Sequence, residues 1–481
     1  MHKTLSATAL VALLVTTGGL AQNTSSALAT ASKTMGVDSL TSITFSGSAT
    51  TGNFGQSAAI GGPLAVTTVS NYTRTIDLAQ PASRATGATM PPAIPGAPPP
   101  QPGTLNQNIT PAAAAWTQQL EIWITPWAFL KGAAANNATV RAQRIGGKAY
   151  NVVSWAPAQK APSGQAYRLV GYINDQNVVD RVETWVEHPV VGDLHVETWY
   201  NDYKDFSGVK VPTKITQKRA DLTTFEATIA NATPNPANLK ELMTPPAPGP
   251  GGPPPATAAA PAPAVQSEKL GDGVYRITGG YVALAVEFKD HVVVIEGGQS
   301  EARGLAIIAE TKKLIPNKPI KYVVNTHAHF DHSSGLAPFV AEGATIITHE
   351  NNDDYLKKAL SAPRTLVGDQ LAKSNKKPKV EGVGEKRILK DDTHTIELHH
   401  VTGLAHSDGM LIAYLPKEKV LFSGDFNIPA QGQPVSPAIG TLVQNVDRLK
   451  LDFDRHVLVH APNPDRPLTK ADLLELAKGT K

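Results

Sequence analysis

The chain contains no cysteine. That excludes a disulfide framework, a thiol nucleophile, an iron–sulfur cluster and any thiolate metal ligand, so a metal here must be held by nitrogen and oxygen. Charge is scarce too. Asp, Glu, Lys and Arg make up 18% of the residues, against roughly 25% in ordinary globular proteins. The net charge of +3 is small for 481 residues, which argues against nucleic acid or an anionic membrane as partner. No run beyond the N-terminus is long and apolar enough to span a bilayer. What is abundant is glycine and proline, 39 and 38 residues. The composition therefore describes folded domains joined by neutral Ala/Thr/Pro-rich stretches.

The N-terminus reads as an export signal. Lys3 supplies the positive region, Leu5 to Leu20 is apolar apart from small and hydroxyl residues, and Gly19-Leu20-Ala21 places small residues before Gln22. Ala27-Leu28-Ala29 is the alternative cleavage point. A signal peptide at 1–21 implies a periplasmic or secreted protein with no stable membrane anchor once it is removed.

Four further segments follow. Residues 22–115 carry little charge and are expected to be partly disordered, with short strands in 33–80 and a flexible Pro-rich connector in 86–112. Residues 116–240 are β-rich: six stretches alternate apolar and polar residues between Tyr150 and Ala230, the pattern of an antiparallel meander. All six tryptophans (116, 123, 127, 155, 185 and 199) fall here, as sheet core or, alternatively, around an apolar ligand groove. The run Glu197 to Lys204 with Gly208 to Pro212 resembles the half-barrels of periplasmic lipoprotein-carrier-like proteins. Residues 244–266 are almost wholly Pro, Ala and Gly, a stiff tether that predicts halves able to fold separately. From 267 to 481 strand and helix patterns alternate, which predicts an α/β domain. Its last helix opens at Thr469 with Asp472 three residues on, a capping box.

The most informative segment is Val323-Val324-Asn325-Thr326-His327-Ala328-His329-Phe330-Asp331-His332. Three imidazoles and a carboxylate directly after an apolar strand can converge on one point, and such crowding is costly unless a cation accepts the lone pairs. Neutral imidazoles with few carboxylates suit zinc.

His327-x-His329-x-Asp331-His332 resembles the signature of the metallo-β-lactamase fold superfamily of dinuclear metallohydrolases, and the resemblance extends over 270–481. Gly271 to Ile277 is similar to the family's first strand and Val294-Ile295-Glu296-Gly297-Gly298 to its early turn. Gly403-Leu404-Ala405-His406 resembles the third-histidine motif, Leu421-Phe422-Ser423-Gly424-Asp425 the strand ending in the bridging aspartate, and Val457-Leu458-Val459-His460-Ala461 the last histidine motif. The resemblance implies an αββα sandwich binding two zinc ions per chain. His327, His329 and His406 would hold one, Asp331, His332 and His460 the other, with Asp425 bridging. Pro462 is the alternative position for the last motif, and the strand directly before His460 favours the histidine. Asp331 would also be catalytic, orienting a metal-bound hydroxide and shuttling its proton.

Other residues are assigned lesser parts. His349 is read as structural, His399 and His400 as strand residues that could buttress a ligand, and His394 and His456 as surface or strand-edge residues. Ser333 and Ser334 are read as opening the next helix rather than as nucleophiles. Histidine at 329 disfavours flavodiiron chemistry, and the missing cysteine excludes β-lactamases that use a thiolate ligand. Nucleic-acid processing would need a basic track that is absent. An export signal fits poorly with glutathione-thioester hydrolases or persulfide dioxygenases. The expectation is an exported dinuclear zinc hydrolase attacking a small-molecule lactam, lactone or other ester. The alternative is a periplasmic apolar-ligand-binding protein with an inactive metal fold. Residues 361–390 are open as a substrate rim.

The ligand assignment implies a stoichiometry. Elemental analysis of fully loaded protein should find two metals per chain, His329→Ala should lower that content, and His349→Ala should leave it nearly unchanged.

Overall fold

The computed structural model describes residues 17–93, 99–110, 115–245, 264–429 and 433–480. Most of the expected signal and tether lies outside them. A helix at Thr17–Met35 runs through both cleavage points named above. Its later residues Leu28, Ala31 and Met35 are packed into the first core. Among the described residues no helix is long and apolar enough to cross a membrane.

The N-terminal part is a separate, wholly antiparallel sheet of 11 strands. The strands are β1 (Ser42–Gly52), β2 (Val66–Asp77), β3 (Ala82–Met90), β4 (Gly103–Ile109), β5 (Thr139–Ile145), β6 (Lys148–Trp155), β7 (Leu169–Ile173), β8 (Val179–His188), β9 (Gly192–Phe206), β10 (Val209–Arg219) and β11 (Leu222–Pro234). Their order is β4-β3-β2-β1-β11-β10-β9-β8-β7-β6-β5. Alternation builds it, as the pattern along β9 shows. Leu194, Val196, Thr198 and Tyr200 are buried, while His195, Glu197 and Trp199 are half-exposed. The helices Trp116–Trp123 and Pro126–Ala135 lie against the inner face. They are pinned there by Trp127 Nε1 donating to the Lys210 carbonyl (3.0 Å) and Tyr200 Oη to the Ile124 carbonyl (2.6 Å). The tryptophans 116, 127 and 155 fill this core.

The sheet does not begin at residue 116. The low-charge segment supplies β1 to β4, and the span read as a connector holds most of β3 and all of β4. Strand β1 pairs with β11, joining residues 43–51 to 225–234. Alternating Ser/Thr with Ile, Phe or Val suffices for a strand, and composition does not reveal a partner so distant in sequence.

The C-terminal part is two sheets sandwiched between helices, the αββα arrangement expected. One sheet orders β12 (Gln266–Gly271), β13 (Val274–Thr278), β14 (Ala283–Glu287), β15 (Val292–Ile295), β16 (Ile320–Val324), β17 (Thr345–His349) and β18 (Lys379–Val383) consecutively. The other orders β19 (Lys386–Lys390), β20 (Thr395–His400), β21 (Leu411–Leu415), β22 (Val420–Ser423) and β23 (Arg455–Leu458). Period-two burial makes the layers. In β14, Leu284 and Val286 face the core between the sheets, whereas Ala283 and Ala285 face the helices Glu301–Leu314 and Leu336–Glu342. The second sheet is covered outside by Pro437–Leu449 and Lys470–Lys478. The capping box at Thr469 and Asp472 is present. Parallel pairs β15/β16/β17 and β22/β23 bring several strand ends to one edge, and the candidate site gathers at that edge.

The two halves also share a seam. Within 361–390, residues 363–366 dock on the β8–β9 turn. Asp193 accepts from Thr365 N (3.0 Å), Thr365 Oγ1 (2.7 Å) and Leu366 N (2.9 Å), and the Leu366 side chain enters the N-terminal core. Arg364 is buried, paired with Asp369 through Nε (2.9 Å), and donates to the carbonyls of Pro189 (2.7 Å) and Val190 (3.2 Å). Breaking a buried pair leaves an uncompensated charge, at a cost of about 3–5 kcal/mol. Arg364→Ala should therefore destabilise the full chain by several kcal/mol in denaturant unfolding, whereas a pair confined to the surface would give under about 1 kcal/mol.

Candidate metal centre

Each candidate ligand sits just beyond a strand. Strand β16 ends at Val324, and the tight loop after it carries His327, His329, Asp331 and His332. Asn325 Nδ2 ties that loop together by donating to the His332 carbonyl (3.1 Å). His406 comes from the loop before β21, Asp425 lies two residues past β22, and His460 lies two past β23. These seven residues form two clusters of possible ligand atoms. His327, His329, His406 and Asp425 make one, and Asp331, His332, Asp425 and His460 the other.

Asp425 belongs to both. Its Oδ2 faces His406 Nε2 (2.9 Å) and His327 Nε2 (3.7 Å), and its Oδ1 faces His332 Nε2 and His460 Nε2, both at 2.8 Å. Two further imidazole atoms crowd His327 Nε2: His329 Nδ1 at 3.0 Å and His406 Nε2 at 3.4 Å. Buried His332 Nε2 makes no well-angled hydrogen bond. With His327 Nδ1 and His329 Nε2 each turned to an oxygen, the facing nitrogens of these two rings are both lone pairs and cannot bond one another. They are the donor set a borderline-soft cation takes.

The other ring nitrogens show which atoms are free to bind. Glu296 Oε2 accepts from His332 Nδ1 (3.2 Å) and Thr326 Oγ1 (2.9 Å), while Thr326 Oγ1 in turn accepts from His327 Nδ1 (3.2 Å). One carboxylate thus orients a histidine of each cluster and leaves both Nε2 lone pairs toward the centre. Glu296 is fully buried, its Oε1 bonded to the Gly297 (3.1 Å) and Gly298 (3.3 Å) amides, with φ at +78°. A side chain in the left-handed region is strained and marks a residue held by its surroundings. The sequence reading placed Glu296 in a turn and missed this part. A carboxylate directly after an apolar strand was the available signal.

A second group comes from the N-terminal sheet, in the β1–β2 loop. The Ser57 carbonyl accepts from His329 Nε2 (3.1 Å), leaving Nδ1 as that histidine's free nitrogen. Gln56 Nε2 donates to Asp331 Oδ1 (2.7 Å), and Tyr281 Oη to Asp331 Oδ2 (2.7 Å). No local pattern announced Gln56, Ser57 or Tyr281. They meet the site only through the tertiary fold.

Charge follows geometry. Burial lowers the pKa of His327 and brings His329 down to about 4, so both are neutral, as ligands must be. Burial would raise Asp425, but the close imidazoles of His332, His406 and His460 more than offset it and hold the carboxylate ionised. Asp331 likewise lies below the usual carboxylate range: burial is outweighed by His332 and the bonds from Tyr281 and Gln56. Burial and the neighbouring Asp331 push Tyr281 well above its ordinary value, so it stays a phenol.

The remaining histidines among the described residues stay outside the clusters. His349 accepts from Asn351 N (3.2 Å) and packs on His400, which bonds the Asp408 carbonyl (2.9 Å). His399 meets Glu397 (3.0 Å). His394 bonds the Asp272 carbonyl (2.8 Å), and His456 bonds Ser423 (2.8 Å). Both are buried rather than on the surface. Ser333 and Ser334 end one helical turn instead of opening the next. Ser334 bonds back to the Phe330 carbonyl (2.6 Å), and Gly335 precedes the following helix.

Residues 278–456 match the metallo-beta-lactamase superfamily. This stretch is a metallo-beta-lactamase domain. Curated relatives that align with the chain include the following two. The alpha subunit of 2,4-dinitroanisole O-demethylase from Nocardioides sp. (strain JS1661) is 24% identical over 41% of this chain and 58% of its own. A linear primary-alkylsulfatase from Pseudomonas sp. (strain ATCC 19151) is 37% identical over 12% of this chain and 11% of its own. The chain thus spans under two thirds of either relative. Similar solved structures include a metallo-beta-lactamase from Pontibacter korlensis, at 18% identity, covering 45% of this chain and 99% of that one, with a TM-score of 0.35. DIM-1 metallo-beta-lactamase is also similar, at 18%, 45%, 97% and 0.35 respectively.

Glu296 offers a test of the metallo-beta-lactamase domain's ligand geometry. Removing an outer partner of a metal-bound histidine typically costs about 10- to 100-fold in metal affinity. Glu296→Gln should weaken zinc binding by that order in a chelator competition, with the circular dichroism spectrum retained.

Proposed function

We propose that the protein is an exported hydrolase using two zinc ions to open a carboxylic ester, lactone or lactam. The observation that carries this reading is Asp425, whose two oxygens face separate histidine clusters. His327, His329 and His406 would hold one ion, Asp331, His332 and His460 the other, with Asp425 shared. When bound, such ions supply Lewis acidity and make water a nucleophile near neutral pH.

The chain's own groups do the rest. Ionised Asp331, fixed by Gln56 and Tyr281, can orient a water molecule and accept its proton. The water oxygen adds to the carbonyl carbon, the bond to the alcohol oxygen or amide nitrogen breaks, and the proton passes to that leaving atom. Tyr281 remains a hydrogen-bond donor at the edge of the second cluster, its ring 4.3 Å from that of His460. The two curated relatives are named for O-demethylation and alkyl-sulfate cleavage, so 2,4-dinitroanisole and a linear alkyl sulfate belong in the substrate panel beside cephalosporins, acyl-homoserine lactones and aryl esters.

Chelation should abolish hydrolysis across whichever substrates are active, and added zinc should restore it. Asp331→Asn keeps the shape but loses the acceptor charge. It should depress kcat by about 10²-fold or more, the usual worth of a positioned base, and Ser334→Ala should change kcat little. A Ser333 or Ser334 variant inactive with both metals in place would replace this mechanism with a covalent acyl-enzyme.

A further inference from the structure

A half-enclosed cleft of about 440 Å³ lies between the two sheet domains, and His329 is part of its lining. The volume is within the range of small-molecule sites, roughly 300–1,000 Å³. One wall comes from the N-terminal domain, with Phe54, Ile60 and Leu222, and the facing wall from the metallo-beta-lactamase domain, with Phe330 and Tyr355. Ile60 and Leu222 are among the few large apolar side chains left exposed in the described residues, at 41% and 37%. Apart from His329, the lining has one positive residue, Lys358, and one negative, Asp408. It carries no net charge with which to hold an ion.

The N-terminal wall is held firmly. The Gly55 carbonyl accepts from Phe330 N (3.1 Å) and the Ala58 carbonyl from Asp408 N (2.8 Å). Phe54 packs edge-on against Phe330, centroids 5.0 Å apart. Gly55 has φ +83°, and a Cβ there would lie 2.0 Å from the Phe330 ring, so only glycine allows this approach. The same loop carries Gln56 and Ser57 onto Asp331 and His329. The cleft and the candidate metal centre are therefore built by one loop.

We infer that this inter-domain cleft is the substrate's binding pocket, taking an uncharged apolar group, a medium-length acyl chain or an aryl ring, while the reacting bond lies over the metal clusters. The N-terminal sheet domain is then a specificity element. This inference rests on the hydrolase reading above.

The test uses the full-length zinc-loaded chain with p-nitrophenyl acetate and p-nitrophenyl octanoate, together with calorimetric binding of octanoate and acetate. Each buried methylene strengthens binding by about fourfold when fully covered. In this half-open cleft the octanoyl ester should be preferred by about tenfold or more in kcat/KM, and octanoate should bind more tightly than acetate by a similar factor. Ile60→Asp and Leu222→Asp should each erase most of both preferences, whereas Ile388→Asp, an exposed site on β19, should behave as wild type. Retention of both preferences in the two cleft variants would overturn the inference, as would hydrolysis of both esters without chain-length preference or octanoate binding. The hydrolase reading would survive the second result. If no ester were hydrolysed but octanoate bound, and bound weakly to the cleft variants, the cleft assignment would stand and the hydrolase reading would fall.

Discussion

The buried carboxylate of Glu296 is the constraint on which the site depends. Among the described residues no Lys or Arg pairs with it, and its one ionisable partner is His332, 3.2 Å away. Its partners are two backbone amides, a threonine hydroxyl and a histidine. An unpaired buried charge is too costly to keep, so this arrangement is tolerable only if those donors are fully used. Using them sets the ring orientation of His332 directly and of His327 through Thr326. Both imidazoles must then present Nε2 to the centre, where Asp425 divides its oxygens between the clusters. The strained backbone of Glu296 is offset by the strands β15 and β16, which grip the turn from both sides. The Glu296 amide itself donates to the Val324 carbonyl at the end of β16 (2.8 Å).

The N-terminal sheet extends the same logic across a domain boundary. A metallo-beta-lactamase domain could in principle leave His329 Nε2 and Asp331 Oδ1 to water. Here the β1–β2 loop supplies a carbonyl and an amide instead. Fixed protein dipoles need no reorganisation when charge changes at the site. The seam at Arg364 and Asp193 joins the same two domains.

Local pattern made the C-terminal layers legible. Strands such as Ala283–Glu287 and Val292–Ile295 are short continuous apolar runs, the helix after Ser300 opens with a capping serine, and the His-x-His-x-Asp-His run concentrates too many ligating groups to be incidental. Pairing was the part that local pattern could not show. Strand β1 joins β11 across the whole N-terminal region, so the segment before residue 116 looked separable in composition while forming one whole flank of the sheet. His394 and His456 lie at strand edges as read, but their burial was hidden for a related reason. Histidines near strand ends look exposed in one dimension, and only the neighbouring sheet and loops bury them.

By itself the sequence determined the chemistry available: nitrogen and oxygen ligands only, clustered after apolar strands, in a chain with little charge. Those are properties of residue type and short spacing. Tertiary structure alone decided which ring nitrogen each histidine presents, that Glu296 stands behind two ligands, and that Gln56 and Ser57 reach the site from another sheet. Hydrogen bonds between residues some 270 positions apart, as from Gln56 to Asp331, depend on how two sheets dock. Docking is set by the sum of many weak contacts along the seam rather than by any motif.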